Sequence, residues 1–257
     1  MNIVNPVKNE NIIFYGKKNK KNKLIYTTNT NMQTSFNAEQ LKLMNIIKKT
    51  AGDKDVFLFG GSVRDCLMNK PINDLDFIIN GNPIDFSKKL VEQNHDVFKS
   101  VFIKPEVNRS VVYTKNIDID FKPLCNNCQT VKGKDNLRKA LIKNLTDNDF
   151  SINSMAIKLD TDIFGGLKLK FVDYLKVKKD LAKNELKYNS KETFLSDPIR
   201  ALRGIRIKLK YGMKIDSDTK KLIKESITNP KIKKNKFYFR YIRECFKITK
   251  EIFKKIL

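Results

Sequence analysis

The stretch 59–65 reads FGGSVRD, and 74–76 reads DLD. An apolar strand that runs into two glycines and then a helix brings backbone N–H groups close to a bound phosphate. Asp74 and Asp76 lie two residues apart on the next predicted strand, so both carboxylates face one side. Two carboxylates held side by side repel each other unless a cation lies between them, which predicts a Mg²⁺ site.

Another pair of acids adds to this pattern. Asp118 and Asp120 share one face of a strand predicted over 117–121, and one of them is a candidate third carboxylate. Arg64, one turn into the helix, is placed to clamp the same anion as the glycines. A solvated acidic edge strand is the alternative for the aspartates, and a purely structural turn is the alternative for the glycines.

Along the chain, the predicted strands come first and most of the predicted helices follow. Asn37 caps a predicted helix that stops near Gly52, and from Ile152 onward a turn and then helices predominate. The predicted strands are 56–59, 75–79, 97–103, 110–113 and 117–121, and the predicted helices include 62–68, 84–93, 198–211, 217–227 and 238–257. This order predicts an α+β fold, in which a small mixed sheet with flanking helices is followed by a helical extension.

The composition constrains the partners and the compartment. The formal net charge is +24 and 40% of the residues are hydrophobic, so a polyanion such as nucleic acid is the expected partner. No apolar run approaches the roughly 20 residues of a membrane span, which excludes an integral membrane protein. Four scattered cysteines suit a reducing compartment, either the cytoplasm or the interior of an organelle (a plastid or mitochondrion of an AT-rich genome). We expect that the protein is not secreted.

Arginine is rare in this lysine-rich chain and is therefore informative. Arg200, Arg203 and Arg206 recur at a spacing of three behind Asp197, which is placed to cap a helix with Pro198 at its first position. A solvated face would be served equally well by lysine, so the spacing indicates planar, bidentate contacts.

These stretches occur together with a third one, 149–156, which reads DFSINSMA. In combination they closely resemble the class II tRNA nucleotidyltransferase (CCA-adding enzyme) and bacterial-type poly(A) polymerase family over about residues 50–215. The resemblance implies a basic extension at 1–35, a nucleotidyltransferase head at 36–160, and a helical neck at 161–257. Because the chain stops inside or just after the neck, the domains by which the family holds tRNA are expected to be absent or to belong to a longer native chain.

The resemblance further implies a Mg²⁺-dependent enzyme that adds CMP and AMP from CTP and ATP to the 3′ end of tRNA. Asp74 and Asp76 would hold Mg²⁺, with Asp118 or Asp120 as the third carboxylate. Asp197 and Arg200 would read the base of the nucleotide. The remaining nucleotide-binding residues would be Gly60, Gly61, Arg64, Asp149, Asn153, Arg203 and Arg206.

Three positions depart from the family pattern. Asp147 and Asn148 stand where the family usually has Arg-Arg, and Ser196 stands where a Glu often precedes the base-reading Asp. An A-adding enzyme or poly(A) polymerase shares every motif above and is the first alternative. From another class, the chain could be an inactive basic RNA-binding module that retains a nucleotidyltransferase shell.

Overall fold

The computed structural model describes residues 25–27, 35–126, 130–228 and 235–256. Its main feature is a mixed sheet of eight strands in the order β1-β8-β7-β2-β3-β6-β5-β4. The strands are β1 (Ile25–Thr27), β2 (Val56–Phe59), β3 (Leu75–Ile79), β4 (Ser100–Lys104), β5 (Arg109–Tyr113), β6 (Asp118–Pro123), β7 (Ala156–Thr161) and β8 (Leu167–Val172), with a separate parallel pair, β9 (Glu185–Leu186) and β10 (Lys214–Ile215).

Nine helices are described around these strands. They are α1 (Ala38–Ala51), α2 (Gly61–Leu67), α3 (Pro83–Gln93), α4 (Lys134–Thr146), α5 (Lys178–Ala182), α6 (Lys191–Ser196), α7 (Ile199–Tyr211), α8 (Ser217–Thr228) and α9 (Asn235–Ile256). Single turns of 3-10 helix lie at Pro105–Val107 and Ser151–Asn153. None of the described helices is both long enough and apolar enough to cross a bilayer.

Alternation along the central strands gives the sheet a core on each face. On β3, Phe77 packs in the cluster that includes α1 and α3, whereas Ile78 packs in the cluster that includes α4. The pair β3 and β6 is parallel, and Asp76 lies directly opposite Asp120 in its register. The chain returns from β3 to β6 through α3 and the β4–β5 hairpin, and this crossover places the two carboxylates on neighbouring strands.

The α+β fold is confirmed, and several elements match their predicted positions. Helix α1 begins with a capping box in which the Asn37 side chain and Gln40 bond each other's backbone N–H, and it ends at Gly52. The strands predicted at 56–59 and 75–79 have those bounds. The strand predicted at 97–103 is shorter and shifted, because its first residues turn out of helix α3.

The predicted organisation after residue 150 is partly wrong. The segment read as a turn at 152–157 leads into β7, which pairs with β8 as a hairpin inside the main sheet. A head that stops at residue 160 would cut this hairpin, so the sheet of the head continues to Val172. Of the extension at 1–35, residues 25–27 form β1 beside β8, while 1–24 and 28–34 lie outside the described residues.

The neck packs closely on the end of the head at Gly204 of helix α7. A Cβ on this residue would lie 2.8 Å from Cζ of the buried Phe150 and 3.1 Å from Cδ1 of Ile223. The ring of Phe150 also contacts Phe194 edge-to-face, with the centroids 5.7 Å apart, so it has little room to move.

We expect Gly204→Ala to lower the free energy of unfolding by about 1–2 kcal/mol. Overpacking costs typically 1–3 kcal/mol and outweighs the roughly 1 kcal/mol that alanine gains over glycine in a helix. Chemical denaturation measures the difference, with Lys208→Ala on the exposed side of the same helix as the control. A Gly204→Ala protein more stable than wild type would mean that the close contact is relieved at no cost.

Candidate active site

A cleft of about 1090 Å³ lies between the α4 side of the sheet and the start of helix α7. Its wall combines groups from all three stretches of sequence singled out above. Of the residues predicted from the sequence, the cleft is lined by Gly60, Gly61, Asp76, Asp149, Asn153, Asp197, Arg200 and Arg203. These residues come from 60 to 203 in the chain, so the fold brings the separate motifs to one place.

The glycine pair forms the turn from β2 into α2 at the edge of this cleft. Gly60 has φ +75°, a conformation that side-chain-bearing residues rarely adopt. A Cβ there would also lie 3.7 Å from Oδ2 of Asp76. The turn therefore brings bare backbone next to the carboxylate, as binding of a phosphate at this point would require.

Asp76, which lines the cleft, and Asp120, its direct partner on the neighbouring strand, form a carboxylate pair. Burial, followed by the charges of Asp120 and Asp74, raises the pKa of Asp76 to about 6. Burial likewise raises the pKa of Asp120, although Arg109 and Lys104 oppose this. The carboxylates thus resist ionising together, which is the electrostatic setting that a cation relieves.

The other two predicted acids lie differently. Asp74 is exposed just before β3 and does not line the cleft, and Asp118 is exposed on β6 opposite Tyr113. Of the two candidates for a third carboxylate, only Asp120 is next to Asp76. Within the described ranges, no three His, Cys, Asp or Glu side chains converge closely enough to hold a metal by themselves. A site on this pair fits Mg²⁺, because that ion usually takes one or two carboxylates and completes its ligands with water and substrate phosphates.

Lys122 is a cleft residue that the sequence analysis missed. It lies two residues after Asp120 on the same face of β6, and its ammonium is 3.9 Å from the centroid of the Phe59 ring. Burial and the neighbouring Arg109 lower the pKa of Lys122 to about 7, although Asp76 and other acids oppose this. Lys122 could have been predicted from the sequence, because it is two residues after Asp120 on one strand and therefore faces the same side.

Arg64 lies beside the glycine turn and is bound by other side chains of the protein. Its buried guanidinium donates to Asp65 (2.9 Å), to Oδ1 of Asn153 (2.7 Å) and to the hydroxyl of Tyr211 (2.6 Å). It also stacks 4.4 Å from the centroid of the Tyr211 ring, and it is not among the residues that line the cleft. Arg64 therefore ties α2 to the 3-10 turn and to the end of α7, and its contact with a triphosphate stays a prediction.

The same chain of polar contacts continues to Asp149 and Arg203. Asn153 donates to Oδ1 of Asp149 (2.9 Å), and Nε of Arg203 lies 3.1 Å from Oδ2 of Asp149. Burial alone would raise the pKa of Asp149, but the Arg203 charge and the Asn153 amide hold it below its usual value. Asp149 is thus an ionised group inside the protein that fixes the direction of Arg203 at the cleft.

Asp197 and Arg200 lie together at the start of α7. The helix begins at Ile199, two residues after the predicted cap, yet Oδ1 of Asp197 still accepts the Ile199 N–H (3.2 Å). Oδ2 of Asp197 accepts from Nη2 of Arg240 on α9 (2.5 Å), and Arg200 donates to the carbonyl of Asp147 (3.2 Å). Both side chains therefore line the cleft in fixed orientations, and Arg240 is a second residue that the sequence analysis did not single out.

Arg206 lies outside the cleft. Its Nε is 2.8 Å from Oε2 of the buried Glu244 on α9, so it joins two neck helices, and its part in the nucleotide pocket stays a prediction. The partner is 38 residues away in sequence, and the motif alone gave no sign of it.

Comparisons with known proteins agree with this geometry. A profile of the Poly A polymerase head domain family matches residues 56–203. The A-adding tRNA nucleotidyltransferase of Aquifex aeolicus (strain VF5) is 29% identical over 173 residues, which are 66% of this chain and 20% of that protein. The Multifunctional CCA protein of Neisseria gonorrhoeae (strain NCCP11945) is 29% identical over 187 residues, which are 67% and 39% of the two chains.

A solved structure, that of a CCA-adding enzyme with ATP, shares the fold. Its TM-score is 0.65 at 22% identity, and the match covers 79% of this chain and 46% of that one. The chain thus spans about a fifth to two fifths of the length of these curated relatives, and about half of the solved one. The segment 56–203 is more than half of the chain and runs from the strand before the glycine turn to Arg203 on α7. Because the family profile matches more than half of the chain, this chain belongs to the Poly A polymerase head domain family.

Proposed function

We propose that the protein is a Mg²⁺-dependent RNA nucleotidyltransferase that adds CMP or AMP to the 3′ end of tRNA. The observation that carries the proposal is that Asp76, which is paired with Asp120 across two parallel strands, lines one cleft with the glycine turn, Asp197 and Arg200. The relatives named above support the substrates, because their names refer to tRNA, A-addition and CCA addition.

In this proposal each part of the cleft has a separate task. Asp76 and Asp74 would hold Mg²⁺, with Asp120 as the third carboxylate, and the charges of both neighbours act on Asp76. The bound ion would neutralise triphosphate charge and favour ionisation of the attacking RNA 3′-hydroxyl. The RNA 3′-hydroxyl would attack the α-phosphorus, and the bond to the leaving pyrophosphate would break in line with it, while the backbone at Gly60 and Gly61 approaches the phosphates.

Base selection is proposed for Asp197 and Arg200. An ionised Asp offers only acceptors and an Arg only donors, so together they complement a base edge that carries both. The exocyclic amino group of C or A would donate to Asp197, and a ring nitrogen or carbonyl would accept from Arg200. Uracil and guanine present a carbonyl in place of that amino group, so a carbonyl oxygen would face the carboxylate.

We expect Arg200→Ala to narrow the preference for CTP and ATP over UTP and GTP by about 5- to 150-fold, since a good bidentate contact gives roughly 1–3 kcal/mol of discrimination. Asp197→Asn should shift the preference in the same sense. Steady-state incorporation of all four nucleotides measures this, and Lys208→Ala on the exposed side of α7 is the control. Unchanged ratios in both variants would mean that Asp197 only caps the helix and pairs with Arg240.

Two other functions remain as alternatives. An A-adding enzyme is favoured by the name of the Aquifex aeolicus relative, and a poly(A) polymerase would use the same cleft. The inactive RNA-binding module predicts no response to nucleotide. A nucleotidyltransferase predicts that Mg²⁺ with CTP or ATP raises the melting temperature, because a ligand of the folded state stabilises it.

We also propose that the protein works in the cytoplasm or in the interior of an organelle, where tRNA, CTP and ATP would be its partners. The net charge of +24 supports a polyanionic partner. Cys66 and Cys245 are free thiols, which suits a reducing compartment, whereas Cys125 is disulfide-bonded.

A further inference from the structure

The β4–β5 hairpin carries two cationic side chains that repel each other across the strand pair. Lys104 and Arg109 are direct cross-strand partners, and like charges that face each other in an antiparallel pair destabilise it. Neither forms an ion pair with another residue in the described part of the chain. Both line the cleft, where their positive charges lower the pKa of Asp120 against the opposing effect of burial.

An exposed aromatic ring lies beside these cations. Phe102 is 52% exposed, and the Lys104 ammonium is 5.8 Å from the centroid of its ring. The register places Phe102 opposite Val111, Val111 opposite Asp120, and Asp120 opposite Asp76. These four residues therefore form one row across the sheet, and the row runs from the carboxylates to the exposed phenyl ring on the same face.

The position of the hairpin in the sheet gives the direction of approach. The glycine turn follows β2, and the order β2-β3-β6-β5-β4 puts the two carboxylate strands between that turn and the hairpin. In nucleotidyl transfer the attacking and leaving oxygens lie roughly in line. If the triphosphate lies at the glycine turn, the attacking RNA end must arrive from the opposite side, over β5 and β4.

We propose that Lys104, Arg109 and Phe102 form the site that holds the 3′-terminal nucleotides of the acceptor RNA. This inference rests on the proposed function. Lys104 and Arg109 bind backbone phosphates near the 3′ end, and Phe102 stacks on an unpaired base, since cations interleaved with aromatics are what single-stranded RNA requires. Phosphate binding also accounts for the two opposed like charges, because the bound anion relieves their repulsion.

The test measures RNA binding without catalysis, so that it is independent of whether the protein transfers nucleotides. The full chain carrying Lys104→Ala and Arg109→Ala is titrated with a fluorescent tRNA that lacks its 3′-terminal CCA, at several salt concentrations and with no nucleotide. The matched control carries Lys88→Ala and Lys89→Ala, two exposed lysines on helix α3 against the opposite face of the sheet. Phe102→Ala is compared with Phe164→Ala, an exposed phenylalanine in the β7–β8 turn.

We expect the hairpin double variant to bind this tRNA at least about tenfold more weakly than wild type, because each lost contact is charge-assisted. Its log–log salt slope should be shallower by about 1.4, at about 0.7 for each phosphate contact with a single strand. The deficit should vanish with an RNA whose 3′ end is sequestered in a blunt duplex. Phe102→Ala should weaken binding of the single-stranded end alone, with CTP affinity within about twofold of wild type.

Either of two results would overturn the inference. The hairpin variants could bind the tRNA with the affinity and salt slope of their controls. Alternatively, the loss could fall on CTP binding with RNA binding intact, which would place the nucleotide and not the RNA on the hairpin. Removing two opposed like charges should not unfold the chain, and an unchanged melting temperature verifies this. If RNA binding behaves as expected while no nucleotide is ever incorporated, the proposed function fails and the RNA site stands.

Discussion

Asp76→Asn is expected to abolish nucleotide incorporation, with a loss on the order of 10³-fold or more, while the chain remains folded. The substitution removes a ligand charge from the carboxylate pair, so it should cost more than the loss of a single donor to a transition state. Single-turnover incorporation into an acceptor tRNA measures the effect. Asp118→Asn, on the same strand as Asp120 but exposed and outside the cleft, is the matched control and should retain the wild-type rate.

We also expect Asp76→Asn to change how the stability of the protein depends on pH. Burial and the charges of Asp120 and Asp74 raise the pKa of Asp76 from 3.8 to about 6. The folded state therefore holds this proton more tightly than the unfolded state, and the stability that results is fully present below about pH 4 and is lost as the pH rises through about 6. Without Mg²⁺, Asp76→Asn should flatten this part of the stability curve and melt above wild type at pH 7.5. A near-normal rate of incorporation, or a melting temperature well below wild type, would remove Asp76 from the metal site.

The second large effect is expected at Arg64. Arg64→Met should lower the free energy of unfolding by about 3–5 kcal/mol, because breaking a buried pair leaves the carboxylate of Asp65 without its main partner. It also removes the bonds to Asn153 and to Tyr211, which join the head to the neck. For a chain of this size the melting temperature should fall by roughly 6–20 °C.

Arg243→Met is the control for this experiment, since Arg243 is exposed and its replacement should change stability by less than about 0.5 kcal/mol. The experiment also separates the two roles considered for Arg64. If Arg64 binds the triphosphate, Arg64→Met should have a lower affinity for nucleotide and a normal free energy of unfolding. If Arg64 is a structural tie, the variant should be less stable even without nucleotide. A free energy of unfolding equal to that of wild type in Arg64→Met would contradict the structural role of Arg64.

The fold was predictable where local patterns were strong. The apolar run of β2, the alternation of β3 and the Asn37–Gly52 helix each carry their own signal. Helix α4 was not predicted, because among its residues only Leu141 and Leu145 are buried. The β7–β8 hairpin was read as a turn leading into helices, although its strands alternate in burial.

In the candidate site too, the residues placed by local sequence patterns were predictable, and those placed by distant partners were not. Motif positions such as Gly60, Asp76 and Arg200 do line the cleft, because turn chemistry and strand alternation act locally. The partners of Arg64 and Arg206 inside the protein could not be predicted, because they are distant in the sequence. Tyr211 is 147 residues from Arg64, and Glu244 is 38 residues from Arg206. A sequence motif indicates which residues occur together. The tertiary packing of the chain decides whether a given side chain points toward the ligand or into the protein.

The central claim is that this cleft transfers nucleotides to the 3′ end of tRNA. The most direct measurement incubates the protein with a tRNA that lacks its 3′-terminal CCA, with CTP, ATP and Mg²⁺, and sequences the RNA ends. We predict ends extended by C and A residues in wild type and in Asp118→Asn, and unextended ends in Asp76→Asn and in reactions without Mg²⁺. Extension by A alone, on a tRNA that already ends in CC, would indicate the A-adding alternative. Unextended ends under all conditions, with tRNA still bound, would contradict the claim and leave an RNA-binding protein with the shell of a transferase.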